Sequence, residues 1–127
     1  MKVLLINDDP NSCYRRLAKA FADAGVSAEI IIARNSTQTQ ECLLKAEEVD
    51  VVFMDYDLRE IKNTISSGLI QAFVDAGFGV GKKPLVAASR SGNNVLEAML
   101  RAGCSHKTDW VMFSPEEVVR QILNIKR

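Results

Sequence analysis

The chain has 127 residues, 47% of them apolar, and its 16 basic residues balance its 16 acidic ones. This length suits one domain with its own packed core, and the balanced charge argues against nucleic-acid binding, which usually requires a basic excess on one face. The apolar runs are strand-sized and far shorter than the roughly 20 residues of a membrane span. The N-terminus has no signal-peptide pattern, and the three widely spaced cysteines suggest reduced thiols. We therefore expect a cytoplasmic protein that binds neither nucleic acid nor a membrane.

The first half of the chain alternates short apolar runs with longer amphipathic segments. Residues 2–6 predict a buried strand, and a helix that begins at Asn11 or Ser12 and ends at Gly25 follows it. A second strand over 28–33 leads into a helix opened by Ser36 or Thr37. The run over 49–54 is continuously apolar, as expected of a central parallel strand.

The second half continues the alternation after an irregular stretch. The mixed polar segment 56–67 predicts a long loop, and the elements after it are predicted as a helix at 68–76, a strand at 84–88, a helix at 93–102, a strand at 104–107 and a helix from 114 onward. In the last helix Ser114, Pro115 and Glu117 form a capping signature, and Val118, Val119, Ile122 and Ile125 are expected to face inward. Five strands alternating with five helices predict a parallel sheet covered on both faces.

Polar residues follow the predicted strands. They are Asn7, Asp8 and Asp9 after the first, Asp55 and Asp57 after the third, Ser89 and Arg90 after the fourth, and Lys107 and Thr108 at the fifth. The carboxyl ends of parallel strands meet at one edge, where ligands bind at the topological switch point. Carboxylates that converge there repel each other unless a cation neutralises them, and such hard oxygen ligands suit Mg²⁺. A carboxylate beside that ion is a good acceptor for a phosphoryl group.

In their order along the chain these motifs resemble the receiver domains of two-component signalling, the chemotaxis-regulator type. The segments that carry the resemblance are 2–10, 50–55, 84–89, 95–103 and 114–117. The resemblance implies an α/β fold, a flavodoxin-like doubly wound five-stranded parallel sheet with five helices. It also implies that residues 1–127 form a single, stand-alone receiver-like domain with no output domain.

The resemblance also assigns roles to residues of the strand ends. It implies that Asp55 is the phosphoacceptor, that Ser89 is the switch hydroxyl and that Lys107 pairs with the phosphoryl group. It implies Mg²⁺ as cofactor, held by Asp8, Asp55 and the backbone carbonyl of Asp57. The implied partners are a histidine kinase or phosphotransfer protein as donor and a downstream protein target. Such a phosphorelay component is a signalling domain rather than an enzyme, although it catalyses its own phosphorylation and dephosphorylation.

Several departures from the family pattern leave a rival reading open. Asn7 stands where the family has an acid, and the family's lysine position falls on Trp110, after Lys107. Arg90 replaces a small residue, and the segment 59–67 lacks the usual proline. These departures motivate a pseudo-receiver, a phosphorylation-independent protein-binding module. An ammonium of Lys107 within reach of Asp55 would favour the switch, and one in solvent would favour the pseudo-receiver.

Two further features of the sequence point away from other site types. The glycine-rich run 77–81 follows a predicted helix rather than a strand, which argues against a nucleotide loop and a flavodoxin-like enzyme. The single histidine, His106, is expected to have a structural or exposed position. Cys13, Cys42 and Cys104 occupy apolar positions and are expected to be core or partly buried residues.

Overall fold

A computed structural model describes residues 1–7, 11–55, 62–88, 93–108 and 115–125. Within these ranges strands and helices alternate from end to end: β1 (Lys2–Ile6), α1 (Asn11–Asp23), β2 (Glu29–Ala33), α2 (Ser36–Leu43), a 3₁₀ helix (Ala46–Glu48), β3 (Val51–Met54), α3 (Lys62–Asp75), β4 (Leu85–Ala88), α4 (Asn93–Ala102), β5 (His106–Thr108) and α5 (Pro115–Ile125). In the described ranges, no helix has the length and apolar character that crossing a membrane requires.

The strands form one parallel sheet in the order β2-β1-β3-β4-β5. The chain moves from β1 outward to β2 and then crosses back to β3 on the other side of β1, so the order reverses between β1 and β3. The predicted doubly wound, flavodoxin-like fold is confirmed. In such sheets the crevice at the reversal point, outside the carboxyl ends of the strands, is where ligands bind.

Apolar side chains of the strands alternate between the two faces of the sheet and pack under different helices. Leu4, Ile6, Met54 and Ala87 join the side chains of α3 and α4 on the face that we call the α3–α4 face. Val3, Leu5, Phe53 and Val86 join those of α1 and α5 on the other. Covering both faces explains why the central strands are continuously apolar, and each large side chain buried in this way stabilises the fold by about 1.5–3 kcal/mol.

The inward positions predicted for α5 and the cysteines agree with the structure. Val118, Val119 and Ile122 are buried, while the side chain of Ile125 lies outside the described residues. Cys13 and Cys104 are buried and Cys42 is partly so, all of them as free thiols. Burial raises the pKa of the Cys104 thiol to about 12, which keeps this sulfur protonated and unreactive.

The predicted loop over 56–67 is wrong for its second half, because α3 begins at Lys62. Residues 62–67 are poor helix formers, but the following turns bury Leu69, Ile70 and Phe73. Once those turns are packed, extending the helix toward its N-terminus avoids the cost of a new nucleus. The part of the predicted loop at 56–61 lies outside the described residues.

Strand β5 begins later than predicted. Cys104 N–H donates to Met99 O at 3.1 Å, which closes the turn that follows α4, and the strand begins at His106. Gly103, the first residue after α4, has a φ of +135°, and a Cβ there would lie 2.7 Å from Val74 Cγ2. Only glycine fits this turn without strain, and the turn aims β5 alongside β4.

Candidate functional site

Asn7 and Asp55 extend their strands by one residue at the carboxyl edge of the sheet. Asp55 N–H donates to Ile6 O at 2.9 Å, and Asn7 N–H donates to Ala33 O at 3.0 Å. Because Ile6 is in register with Met54, the next residues, Asn7 and Asp55, stand side by side, about 4.8 Å apart along the hydrogen-bonding direction. The structure thus brings these two together at the point where the strand order reverses.

The side chain of Asn7 turns toward α1. It is 7% exposed, and its Nδ2 donates to Cys13 Sγ at 3.7 Å. Its neighbour Asp55 is partly exposed. An amide at this place puts one negative charge fewer beside Asp55 than the acid that the receiver resemblance leads one to expect. The electrostatic attraction for a cation at this edge is correspondingly weaker, as is the repulsion that Asp55 experiences.

Lys107 lies in β5, two strands from β3 and one residue below the edge. It pairs in register with Ala87, which pairs with Met54, so its side chain emerges on the α3–α4 face. There Nζ donates to Glu97 Oε1 of α4 at 2.8 Å. Both side chains remain partly exposed. The hydrogen bond and the charge of Lys107 hold the pKa of the Glu97 carboxyl below its usual range.

Asp55 and solvent were the surroundings expected for the Lys107 ammonium, and Glu97 was not among them. A signal for it exists in the sequence: Glu97 is the one acid in the segment 93–102, and this helix leads directly into β5. A right-handed crossover packs such a helix over the strand that follows it. An acid on that helix is therefore a natural counter-ion for a cation on the inner face of the strand.

The other predicted site residues, Asp8, Asp57 and Ser89, lie outside the described residues, as do Asp9, Arg90 and Trp110. In the part of the chain that is described, no three His, Cys, Asp or Glu side chains converge as a metal site would require. A metal at this edge would therefore depend on Asp55 together with Asp8 and Asp57. A carboxylate flanked by an amide, open on one side to solvent, fits a hard cation such as Mg²⁺, which keeps several of its waters.

A groove of about 320 Å³ runs between α4, β5 and α5. Leu100, His106, Lys107, Glu117 and Val118 are among the residues that line it, so its walls are partly apolar and partly charged. Lys107 is both a member of the ion pair with Glu97 and a lining residue of this groove. The ion pair therefore borders the groove.

His106 forms part of the floor of this groove and has a structural place, which agrees with the expectation for a lone histidine. Its Nδ1 is 2.9 Å from Ser105 Oγ, which in turn accepts a hydrogen bond from Leu85 N–H at 2.9 Å. Burial lowers the pKa of the imidazole. This small network anchors β5 to β4.

Solved structures share this fold over almost their whole length. A signal receiver domain of a two-component histidine kinase from Clostridium thermocellum matches with a TM-score of 0.76 and 17% identity, covering 96% of each chain. A response regulator from Thermotoga maritima matches with a TM-score of 0.67 and 19% identity over 98% of this chain and 95% of that one. An orphan response regulator of H. pylori matches with a TM-score of 0.63 and 19% identity over 100% and 97%.

These likenesses show that the chain has the receiver-domain fold of response regulators, as the resemblance of its motifs predicted. No family model matches the sequence, and no curated protein matches it either. The low identities show the fold alone, so the chemistry of the site has to be argued from the residues of this chain.

Proposed function

We propose that this chain is a signalling receiver that accepts a phosphoryl group on Asp55. The observation that carries the proposal is the place of Asp55, directly after a central strand and beside Asn7, at the edge where the strand order reverses. A partly exposed carboxylate at the ligand crevice of a doubly wound sheet is accessible to a donor.

In the proposed reaction a carboxylate oxygen of Asp55 attacks the phosphorus of a phosphohistidine on a donor protein. A phosphorus–oxygen bond forms, the phosphorus–nitrogen bond breaks, and the imidazole of the donor keeps the electron pair and takes up a proton. Water later attacks the acyl phosphate and releases inorganic phosphate. Nothing is oxidised or reduced, and the protein's contribution is positioning and charge stabilisation.

The remaining predicted residues have supporting roles in this proposal. Asp8, Asp55 and the Asp57 carbonyl would hold Mg²⁺, which supplies neutralisation of the charge on the transferring oxygens. The Ser89 hydroxyl would donate to a phosphoryl oxygen, and Lys107 would offset its charge from the side of β5. Phosphorylation would then alter the face that contains the groove between α4, β5 and α5, where a downstream protein would bind. The donor would be a histidine kinase or a phosphotransfer protein, and the compartment the cytoplasm.

The test is incubation with acetyl phosphate and Mg²⁺, followed by intact-protein mass spectrometry. The wild type should gain the mass of one phosphoryl group, and Asp55→Asn should gain none. Asp75→Asn removes an exposed carboxylate that accepts from Gln71 within its own helix, so it serves as the matched control and should be modified like the wild type. A wild type without mass gain would disprove the proposal.

A second candidate function is the pseudo-receiver, a module that binds its partner without phosphorylation. The ion pair of Lys107 with Glu97 favours it, because a cation committed to α4 is less available to a phosphoryl group. The existence of an orphan response regulator among the structural neighbours fits it as well. Under this reading Asp55→Asn leaves partner binding unchanged, whereas under the first reading the phosphorylated wild type and Asp55→Asn differ.

A further inference from the structure

We propose that Glu97 is a positioning residue that restrains the site by competing for the ammonium of Lys107. The proposal rests on phosphoryl transfer to Asp55. It goes beyond that function by assigning a regulatory role to a residue of α4 that lies outside the strand ends.

The geometry of β5 gives the competition its basis. Lys107 is level with Met54 rather than with Asp55, so its side chain has to extend along the sheet toward the edge to serve a phosphoryl group. Glu97 lies across the α3–α4 face from the same strand and accepts from Nζ at 2.8 Å. An ammonium has three donors, but its reach is limited by a stem of four carbons. The hydrogen bond to Glu97 therefore takes up one of these donors and part of this reach, so that Glu97 competes with the edge for Nζ.

The negative charge of Glu97 also weakens the effect that Lys107 has on a phosphoryl group. Seen from the strand ends, the ammonium and the carboxylate nearly cancel, so the positive potential that a phosphoryl oxygen would experience is reduced. Arg101, one turn further along α4, also contributes to holding Glu97 in its charged form. The carboxylate thus remains a competitor at neutral pH.

The Lys107–Glu97 ion pair is too exposed to be explained by a contribution to the stability of the fold. The side chains of Lys107 and Glu97 are 32% and 43% exposed, and ion pairs at such positions contribute little to folding. An acid of little structural value that lies within hydrogen-bond distance of the one described cation on β5 is more readily explained as a restraint on that cation. Glu97→Gln keeps the shape of the side chain and removes the charge, so the variant should fold normally.

The experiment compares rates of Asp55 phosphorylation by acetyl phosphate with Mg²⁺. Glu97→Gln should accelerate the reaction about fivefold, which is the effect of an ion pair of this exposure. Glu97→Asp retains a carboxylate and should remain close to the wild type. Glu47→Gln removes the same charge from an exposed position in the 3₁₀ helix and should also leave the rate unchanged.

A double-mutant cycle shows whether Glu97 acts through Lys107. Lys107→Gln should slow phosphorylation, and adding Glu97→Gln to it should change nothing further. A separate readout that does not require phosphorylation is the ¹³C titration of the Glu97 carboxyl, whose pKa should rise toward its usual range in Lys107→Gln.

The possible outcomes separate this inference from the function on which it rests. Equal rates in the wild type and Glu97→Gln, a slower Glu97→Gln, or the same gain in the Lys107→Gln background would overturn the role of Glu97 alone. An absence of phosphorylation in both proteins would overturn the inference together with the proposed function.

Discussion

His106 gives the fold a pH dependence that can be traced to one residue. Its imidazole is half-buried in β5 beside Ser105, and burial lowers its pKa from the ordinary 6.5. In the unfolded chain the same imidazole takes up a proton as the pH falls below its ordinary pKa, whereas the folded chain resists protonation until a lower pH. The unfolded state therefore binds more protons in this window, and the free energy of unfolding declines as the pH falls.

We expect urea unfolding to give a lower free energy of unfolding at about pH 5.5 than at about pH 7.5, with a smaller difference in His106→Gln. Gln can keep a hydrogen bond to Ser105 but does not titrate. The ordinary pKa values of Asp and Glu lie below this window, and Lys107 holds the pKa of Glu97 lower still. An equal slope in both proteins would show that the pH dependence comes from other groups.

Single residues of the site differ in how far the sequence could predict them. That Asn7 and Asp55 meet at one edge follows from strand order alone, because parallel strands end on the same side of their sheet. The partner of Lys107 follows only in part: the position of α4 beside β5 points to its one acid, Glu97, but the contact also depends on where in the strand Lys107 falls. The register of β5, which depends on the turn at Gly103 and Cys104 after α4, was beyond what the pattern of the sequence contains.

At the scale of elements, Lys83 links the turn before β4 to the segment before β3. Its Nζ donates to Ala46 O at 3.1 Å and to Val49 O at 2.9 Å, and it lies 4.7 Å from the centre of the Phe78 ring. Ala46 O also accepts from Val49 N–H within the 3₁₀ turn, so the ammonium adds a charged donor to this carbonyl and to that of Val49. The contact holds the 3₁₀ helix against the turn between α3 and β4.

We expect Lys83→Met to lower the free energy of unfolding by about 1.5–3 kcal/mol, the value of hydrogen bonds from a charged donor. Met keeps the apolar stem over Phe78 and removes only the donors. The control is Lys82→Met, since the neighbouring Lys82 is exposed and should change the free energy by less than about 0.5 kcal/mol. Chemical denaturation at neutral pH measures both. Equal effects of the two substitutions would mean that the carbonyl contacts of Lys83 contribute nothing to stability.

Helices and strands that an apolar run or a capping residue marks in the sequence could be predicted. Those whose bounds depend on packing against neighbouring elements could not. β1 and α4 have the predicted bounds, because the first is a plain apolar run and the second ends at Gly103. The start of α3 was missed because Lys62 to Ser67 reads as loop, and only packing of the later turns makes it helical. The cap of α2 is Asn35, whose side chain accepts from Gln38 N–H, one residue before the predicted start.

The molecule as a whole carries no net charge, yet its fold is predicted to concentrate Asp8, Asp55 and Asp57 at one edge. Asp8 is far from Asp55 and Asp57 along the chain, so a cation that needs ligands from both segments binds the folded state alone. We expect Mg²⁺ to raise the free energy of unfolding by about 1.4 kcal/mol at a concentration ten times its dissociation constant. Asp55→Asn should lose most of this gain, and Asp75→Asn should keep it.

The substitution Asn7→Asp is a second test of the same site, because its expected effects on stability without and with Mg²⁺ differ in sign. Without Mg²⁺ the variant should be less stable than the wild type, because a second carboxylate then stands beside Asp55 and the hydrogen bond from Nδ2 to Cys13 is lost. With Mg²⁺ it should gain more stability than the wild type, because the new acid adds attraction for the cation between β1 and β3. Thermal unfolding with and without Mg²⁺ measures both effects. If Asn7→Asp loses stability without gaining more from Mg²⁺, the cation does not bind between these strand ends, and the pseudo-receiver becomes the better account of the fold.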